Sequence, residues 1–115
     1  MRIERGQVWR CDFDQHPDSR QNGVRPAVIV QSDHLNRVEK YYLTIVVPMS
    51  RSGSERIPSH ALIAPDSGNG LSDESYAKGE QIQTVPQAKL ISRLGSLSPR
   101  DLQRVEAALR RTLAL

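Results

Sequence analysis

The sequence predicts a mainly β fold, a small curled sheet that carries one α-helix at its C-terminus. Three patterns predict it. Between Gln7 and Phe13 the chain alternates, with Trp9, Cys11 and Phe13 on one face and Arg10 and Asp12 on the other, the period-two signature of a half-buried strand. Pro26-Ala27-Val28-Ile29-Val30 and Tyr42-Leu43-Thr44-Ile45-Val46-Val47 are short β-branched runs, suited to strands covered on both faces at the centre of a sheet. After Ser98 the apolar spacing changes to three and four, which is helical.

The remaining elements follow in order. Asp14 to Gly23 is polar, with Pro17, Ser19, Asn22 and Gly23, and is too long for a tight turn, so it predicts a surface loop of functional length. Ser32 to Arg37 reads as a loop or a single helical turn, and Ser50-Arg51-Ser52-Gly53-Ser54 as a second loop. Ile57 to Ala64 and Tyr76 to Thr84 read as two further strands flanking Pro65-Asp66-Ser67-Gly68-Asn69-Gly70, and Lys89-Leu90-Ile91 as a short one. Short strands with irregular loops favour a curled sheet over a βαβ layout. At the end Ser98 can cap, Pro99 suits the first helical position, Asp101 completes the start and Leu97 can staple onto Leu102. Leu102, Val105, Leu109 and Leu113 form an apolar stripe, leaving Arg100, Arg104, Arg110 and Arg111 as a solvated face.

Composition narrows the function classes. A chain of 115 residues, 37% hydrophobic and only 4% aromatic, corresponds to one domain over 1–115 with a core of Val, Ile, Leu and Ala. A core of that size is marginal alone, so a homodimer is expected. Sixteen Lys+Arg against thirteen Asp+Glu give +3, which permits phosphate-bearing partners without requiring them. The lone Cys11 excludes an internal disulfide and a cysteine-based zinc site. With no apolar run near ~18 residues and no signal pattern, the expectation is a soluble, cytoplasmic protein with no membrane partner. No P-loop, dinucleotide fingerprint or nucleophile elbow is present, and His16, His34 and His60 lack helical i, i+4 partners; metals and nucleotide cofactors are therefore not expected.

What remains is a set of blocks that carry a resemblance: Arg5-Gly6-Gln7-Val8-Trp9, Gly23-Val24-Arg25-Pro26-Ala27-Val28-Ile29-Val30, Val46-Val47-Pro48-Met49-Ser50, Glu80-Gln81-Ile82-Gln83-Thr84 and Leu94-Gly95-Ser96-Leu97-Ser98. Together, in order and spacing, they strongly resemble the MazF/PemK toxins over nearly the whole chain. The resemblance implies an SH3-like barrel, a homodimer, and an endoribonuclease that cuts single-stranded RNA at short motifs until a partner antitoxin blocks it.

Metal-free RNA cleavage needs a fixed cation where charge grows on the phosphoryl oxygens. Arg25 matches the family's catalytic arginine, and a guanidinium held beside Pro26 can meet two phosphate oxygens at once; a solvated or ion-paired arginine at a strand end is the bland alternative. Ser50 stands where many members have the catalytic threonine, keeping the hydroxyl but losing the methyl that restricts its rotamer. Glu80 matches an acidic position assigned as base in PemK-like members. Lys78 takes the place of an arginine, and Gln81 matches an RNA-contacting position; a solvated strand end explains all three equally well.

Ser19, Arg20 and Gln21 lie in the first loop, which in this family borders the RNA groove. Arg20, replacing the usual glutamate, adds a candidate phosphate contact, while Gln83 replaces a common arginine. His16 reads as solvent-exposed, Asn36 and Arg37 as a turn former and a surface residue, and Tyr41, Tyr42 and Tyr76 as half-buried at strand edges. The leading expectation is a metal-independent endoribonuclease acting by 2′-hydroxyl attack, with Arg25, Ser50 and Glu80 catalytic. Its partners are single-stranded RNA and an acidic, partly disordered antitoxin. Two rivals stand beside it. One is a catalytically silent RNA- or antitoxin-binding module. The other is a topoisomerase poison like CcdB, which shares the fold but relies on a Trp-Gly-Ile ending, where this chain has Thr112-Leu113-Ala114-Leu115.

Overall fold

A computed structural model describes residues 2–115. The described residues form seven antiparallel strands, a single α-helical turn and a closing helix: β1 (Gln7–Asp12), β2 (Val24–Ile29), α1 (Asp33–Asn36), β3 (Leu43–Ser50), β4 (His60–Ile63), β5 (Ser75–Lys78), β6 (Gln83–Pro86), β7 (Leu90–Ser96) and α2 (Pro99–Leu113). Hydrogen-bonded neighbours run β4-β5-β3-β2-β1-β7, with β6 beside β3. The sheet curls, but the ladder does not close: among the described residues β4 and β7 remain edges, and the gap is bridged by the 64–74 loop, whose Gly68 carbonyl accepts from Ser96 N at 2.8 Å.

Alternation sorts the strand residues into two cores. Val8, Val28, Val47 and Met49 point toward α2 and pack with Ile63, Leu97, Val105 and Ala108. Trp9, Cys11, Ala27, Ile29 and Val46 point the other way and pack with Ile3, Phe13, Val85 and Leu90. The central strands are thus covered on both faces, as their β-branched runs require.

Three expectations are corrected. The run from Tyr76 to Thr84 is not one strand: a 3-10 turn at Gly79–Gln81 breaks it, and the halves pair with different ends of β3, Met49 with Ala77 in β5 and Ile45 with Thr84 in β6. Residues 57–59 form a turn ahead of β4 rather than strand. The helix starts as expected, with Ser98 Oγ accepting from Asp101 N at 3.1 Å, and Val105 and Ala108 are its buried positions, but Leu113 is 49% exposed because Thr112 takes the inward place in the last turn, against Gly79. Arg100, Arg104, Arg110 and Arg111 face solvent as expected. The Arg5 guanidinium reaches Glu106 at 2.7 Å and ties the N-terminal segment to α2.

Candidate functional site

The site grows out of the way β2 enters the sheet. Gly23, at φ +73°, donates to Asp14 O at 2.8 Å and accepts from Phe13 N at 2.9 Å, pinching off the first loop in a backbone conformation that glycine adopts without strain. Val24 and Arg25 follow at once. The β2–β3 register sets Ala27 opposite Pro48 and Val28 opposite Val47; continued by two residues, it sets Arg25 opposite Ser50. Both side chains line one cleft of about 310 Å³.

Arg25 is exposed, and its Nε donates to Asn22 O at 3.2 Å. Among the described residues no carboxylate pairs with it, so the guanidinium is open to an anion. Ser50, 6% exposed, ends β3. Its Oγ accepts from Ser52 N at 3.2 Å and lies 3.0 Å from Ser52 Oγ. When the Ser52 hydroxyl donates in that pair, the Ser50 proton is left to point into the cleft.

Three charged lining residues escaped the sequence reading as site candidates: Arg10, Arg51 and Asp73. Arg10 sits opposite Pro26 in the β1–β2 ladder, so its place on the outward face of the alternating strand was the one available signal. Arg51 approaches Asp73 at 3.8 Å, both largely exposed. The cleft therefore gathers three guanidiniums, one hydroxyl-rich turn and one carboxylate, a field that concentrates phosphate.

Other candidates lie apart from this cleft, Glu80 among them. It sits on the 3-10 turn Gly79–Gln81 and does not line the cleft. Its Oε1 accepts from Ser59 Oγ at 2.8 Å and its Oε2 lies 2.7 Å from His60 Nε2. Burial works against the charge on Glu80, but hydrogen bonds from His60 and Ser59 outweigh it and hold the carboxyl below the usual glutamate range. A carboxylate engaged at both oxygens and weakened as a base is poorly suited to take a proton from substrate. Lys78, half-buried, ends β5 opposite His60.

The first loop is clipped to the same turn: Gln81 Nε2 donates to Ser19 O at 3.2 Å, and Gln81 Oε1 accepts from Gln21 N at 3.3 Å. Gln81 therefore staples the loop rather than presenting a free amide. Arg20 is held by Asp18 through Nε at 2.9 and 3.1 Å and Nη2 at 2.9 Å, and those bonds draw the Asp18 carboxyl down to about 2; the Arg20 charge is partly offset within the loop. His16, expected in solvent, is half-buried with Nε2 2.7 Å from Phe13 O, because the loop folds back through His16 N to Asn22 Oδ1 at 2.7 Å. Asn36 accepts from Gln31 Nε2 at 2.8 Å and Thr44 Oγ1 at 3.1 Å, a structural hub. Tyr41 and Tyr42 are exposed rather than half-buried, whereas Tyr76 is half-buried. Among the described residues no three of His, Cys, Asp and Glu gather as a metal site.

Comparison with known proteins agrees with this architecture. Residues 4–113 match the family model of the PemK-like, MazF-like toxins of type II toxin-antitoxin systems. Endoribonuclease MazF9 of Mycobacterium tuberculosis H37Rv is 30% identical over 117 aligned positions, spanning 98% of each chain. A mycobacterial endoribonuclease solved in complex with its cognate antitoxin superposes with a TM-score of 0.79 at 26% identity, over 98% of this chain and 96% of that one. MazF of Deinococcus radiodurans shares the fold at a TM-score of 0.78 and 18% identity, over 100% and 99% of the two chains. With an arginine-lined cleft on this sheet and a family match across almost its full length, the chain belongs to the PemK-like, MazF-like toxins of type II toxin-antitoxin systems.

Proposed function

We propose that this protein is an endoribonuclease toxin that cleaves single-stranded RNA at preferred sequences without a metal ion, leaving a 2′,3′-cyclic phosphate and a 5′-hydroxyl. The observation that carries the reading is the exposed Arg25 guanidinium, free of any carboxylate partner among the described residues, in the same cleft as Ser50. In the reaction the ribose 2′-oxygen attacks phosphorus, the bond from phosphorus to the 5′-oxygen breaks, and that oxygen takes a proton from solvent. Arg25 meets the charge growing on the phosphoryl oxygens, and Ser50 donates a hydrogen bond to the same phosphate.

Asp73, the carboxylate of the cleft wall, takes the 2′-hydroxyl proton in place of Glu80. Arg10 and Arg51 hold flanking phosphates. The clipped loop of Ser19, Arg20 and Gln21, with Lys78 and Gln81 beside it, forms the outer RNA contact and contributes to sequence preference.

The working unit is a homodimer, a reading supported by the exposed apolar residues Leu35, Val38, Tyr41, Tyr42 and Leu43 within one short segment. A cognate antitoxin neutralises the toxin by laying an acidic segment over the basic cleft; the similar mycobacterial endoribonuclease solved with its antitoxin supports this. The test is incubation of purified protein with a long mixed-sequence RNA in EDTA, followed by mapping of 5′-hydroxyl ends. Discrete cuts that persist in chelator are expected. Intact RNA bound tightly points instead to a silent binding module and overturns the reading.

A further inference from the structure

Glu80 and His60 remain unexplained by the cleavage chemistry, although they form a short, specific contact. His60 opens β4 with a side chain only 5% exposed. Its two ring nitrogens face different partners: Nε2 lies 2.7 Å from Glu80 Oε2, and Nδ1 accepts from Ser54 N at 3.3 Å. A backbone N–H can only donate, so Nδ1 must be bare and the proton must sit on Nε2, pointing at a carboxylate that can only accept. The opposite tautomer sets N–H against N–H and a lone pair against the carboxylate. The charge on Glu80 therefore selects the tautomer that holds Ser54.

Ser54 ends the loop that carries Ser52 and Arg51, the second of which lines the cleft. The same loop is seated at Gly53, where an added Cβ would lie 2.6 Å from Tyr76 Cγ; only glycine lets the backbone lie this close to the ring. Tyr76 in turn stands against His60, ring centroids 6.2 Å apart and tilted by 49°, and pairs with Ser50 in the β3–β5 ladder. The loop thus leaves β3 at Ser50, lies on Tyr76, and is tied down by His60.

We propose that His60, oriented by Glu80, is a positioning residue that holds the 51–54 loop in shape against the cleft for RNA. This rests on the ribonuclease reading above. The backbones of Arg25 and Ser50 belong to strands and stay in place without the loop anchor, whereas Arg51 depends on it, as does the Ser52 contact to Ser50 Oγ. Loosening the anchor adds an ordering cost to RNA binding and leaves the chemical step in place.

The experiment uses the full chain and three variants, checked for cooperative unfolding, with a short cleavable RNA in EDTA. In His60→Gln the amide reaches the Nε2 position and still donates to Glu80, but nothing accepts from Ser54. In His60→Asn the side-chain oxygen lies near the Nδ1 position and accepts from Ser54. Glu80→Gln keeps an acceptor for His60. The expected result is a rise in KM of about fivefold for His60→Gln, with kcat within about twofold of wild type, and a KM restored in His60→Asn. Glu80→Gln retains kcat. A fall in kcat of about 10²-fold or more in Glu80→Gln makes Glu80 the proton acceptor and overturns the proposal, as does an unchanged KM in His60→Gln.

Imidazole ¹⁵N spectra and Ser54 amide exchange of the RNA-free protein judge the anchor even if the wild type cleaves no RNA, the outcome that sinks the ribonuclease reading instead. Expected are a bare Nδ1, and Ser54 exchange that is slow in wild type and His60→Asn and fast in His60→Gln. A protonated Nδ1, or exchange indifferent to His60→Gln, refutes the anchor.

Discussion

Replacing Arg25 by alanine tests the proposed chemistry most directly. Arg25 is exposed on β2, and its one hydrogen bond within the described structure runs from Nε to Asn22 O at 3.2 Å, so little folding energy depends on it. A surface change of this kind stays within about 0.5 kcal/mol, a shift in Tm of less than about 4 °C for a chain of this size. In the proposed reaction the transition state should depend on it far more, because a preorganised charged donor facing a developing oxyanion in a partly enclosed cleft contributes about 3–4 kcal/mol, or 10²- to 10³-fold in kcat. Arg25→Lys keeps the charge but loses the fork that meets two oxygens, so it should fall between wild type and alanine. The assay is single-turnover cleavage of a labelled RNA in EDTA, run beside thermal unfolding of each variant. A folded Arg25→Ala enzyme that cleaves within about threefold of wild type refutes the role given to the guanidinium.

Further outcomes follow from the same geometry. Asp73→Asn should lower kcat by about 10²-fold with little change in KM, measured on the same RNA; an unchanged kcat removes Asp73 as proton acceptor. Val105→Ala, at a fully buried position between α2 and the sheet, should cost about 2 kcal/mol in urea unfolding. Because Glu80 has its carboxyl held below the ordinary 4.5, the stabilisation from its charged form is complete above that value and is lost as pH falls through the lower folded-state value. Glu80→Gln should therefore lose less stability than wild type as pH falls below the ordinary 4.5, read from urea midpoints. Burial, with Asp12 nearby, pushes the Cys11 thiol up to about 12, so Cys11 should resist maleimide at pH 8 until the protein is unfolded.

Features set by neighbours in sequence were legible before the structure. The alternation at Trp9, Cys11 and Phe13 placed all three in one core, and Ser98, Pro99 and Asp101 marked the helix start because capping is a contact across three residues. Features set by pairing across the sheet were not. Nothing local in Tyr76 to Thr84 announces that its halves pair with opposite ends of β3, since each half alone is an acceptable strand.

The same division runs through the site. Sequence by itself determined the pattern of buried faces and the capped helix and, through resemblance, singled out Arg25 and Ser50 as candidates. Tertiary structure decided which side chains share a cleft with them: Arg10, Arg51 and Asp73 come from β1 and from two loops, while Glu80, twenty residues from His60, turns toward that imidazole rather than into the cleft. The reason is physical. Strand periodicity and capping are fixed by backbone geometry within a few residues, whereas a cleft and a buried hydrogen-bond pair exist only once the strand register has closed long loops and brought distant groups within about 3 Å.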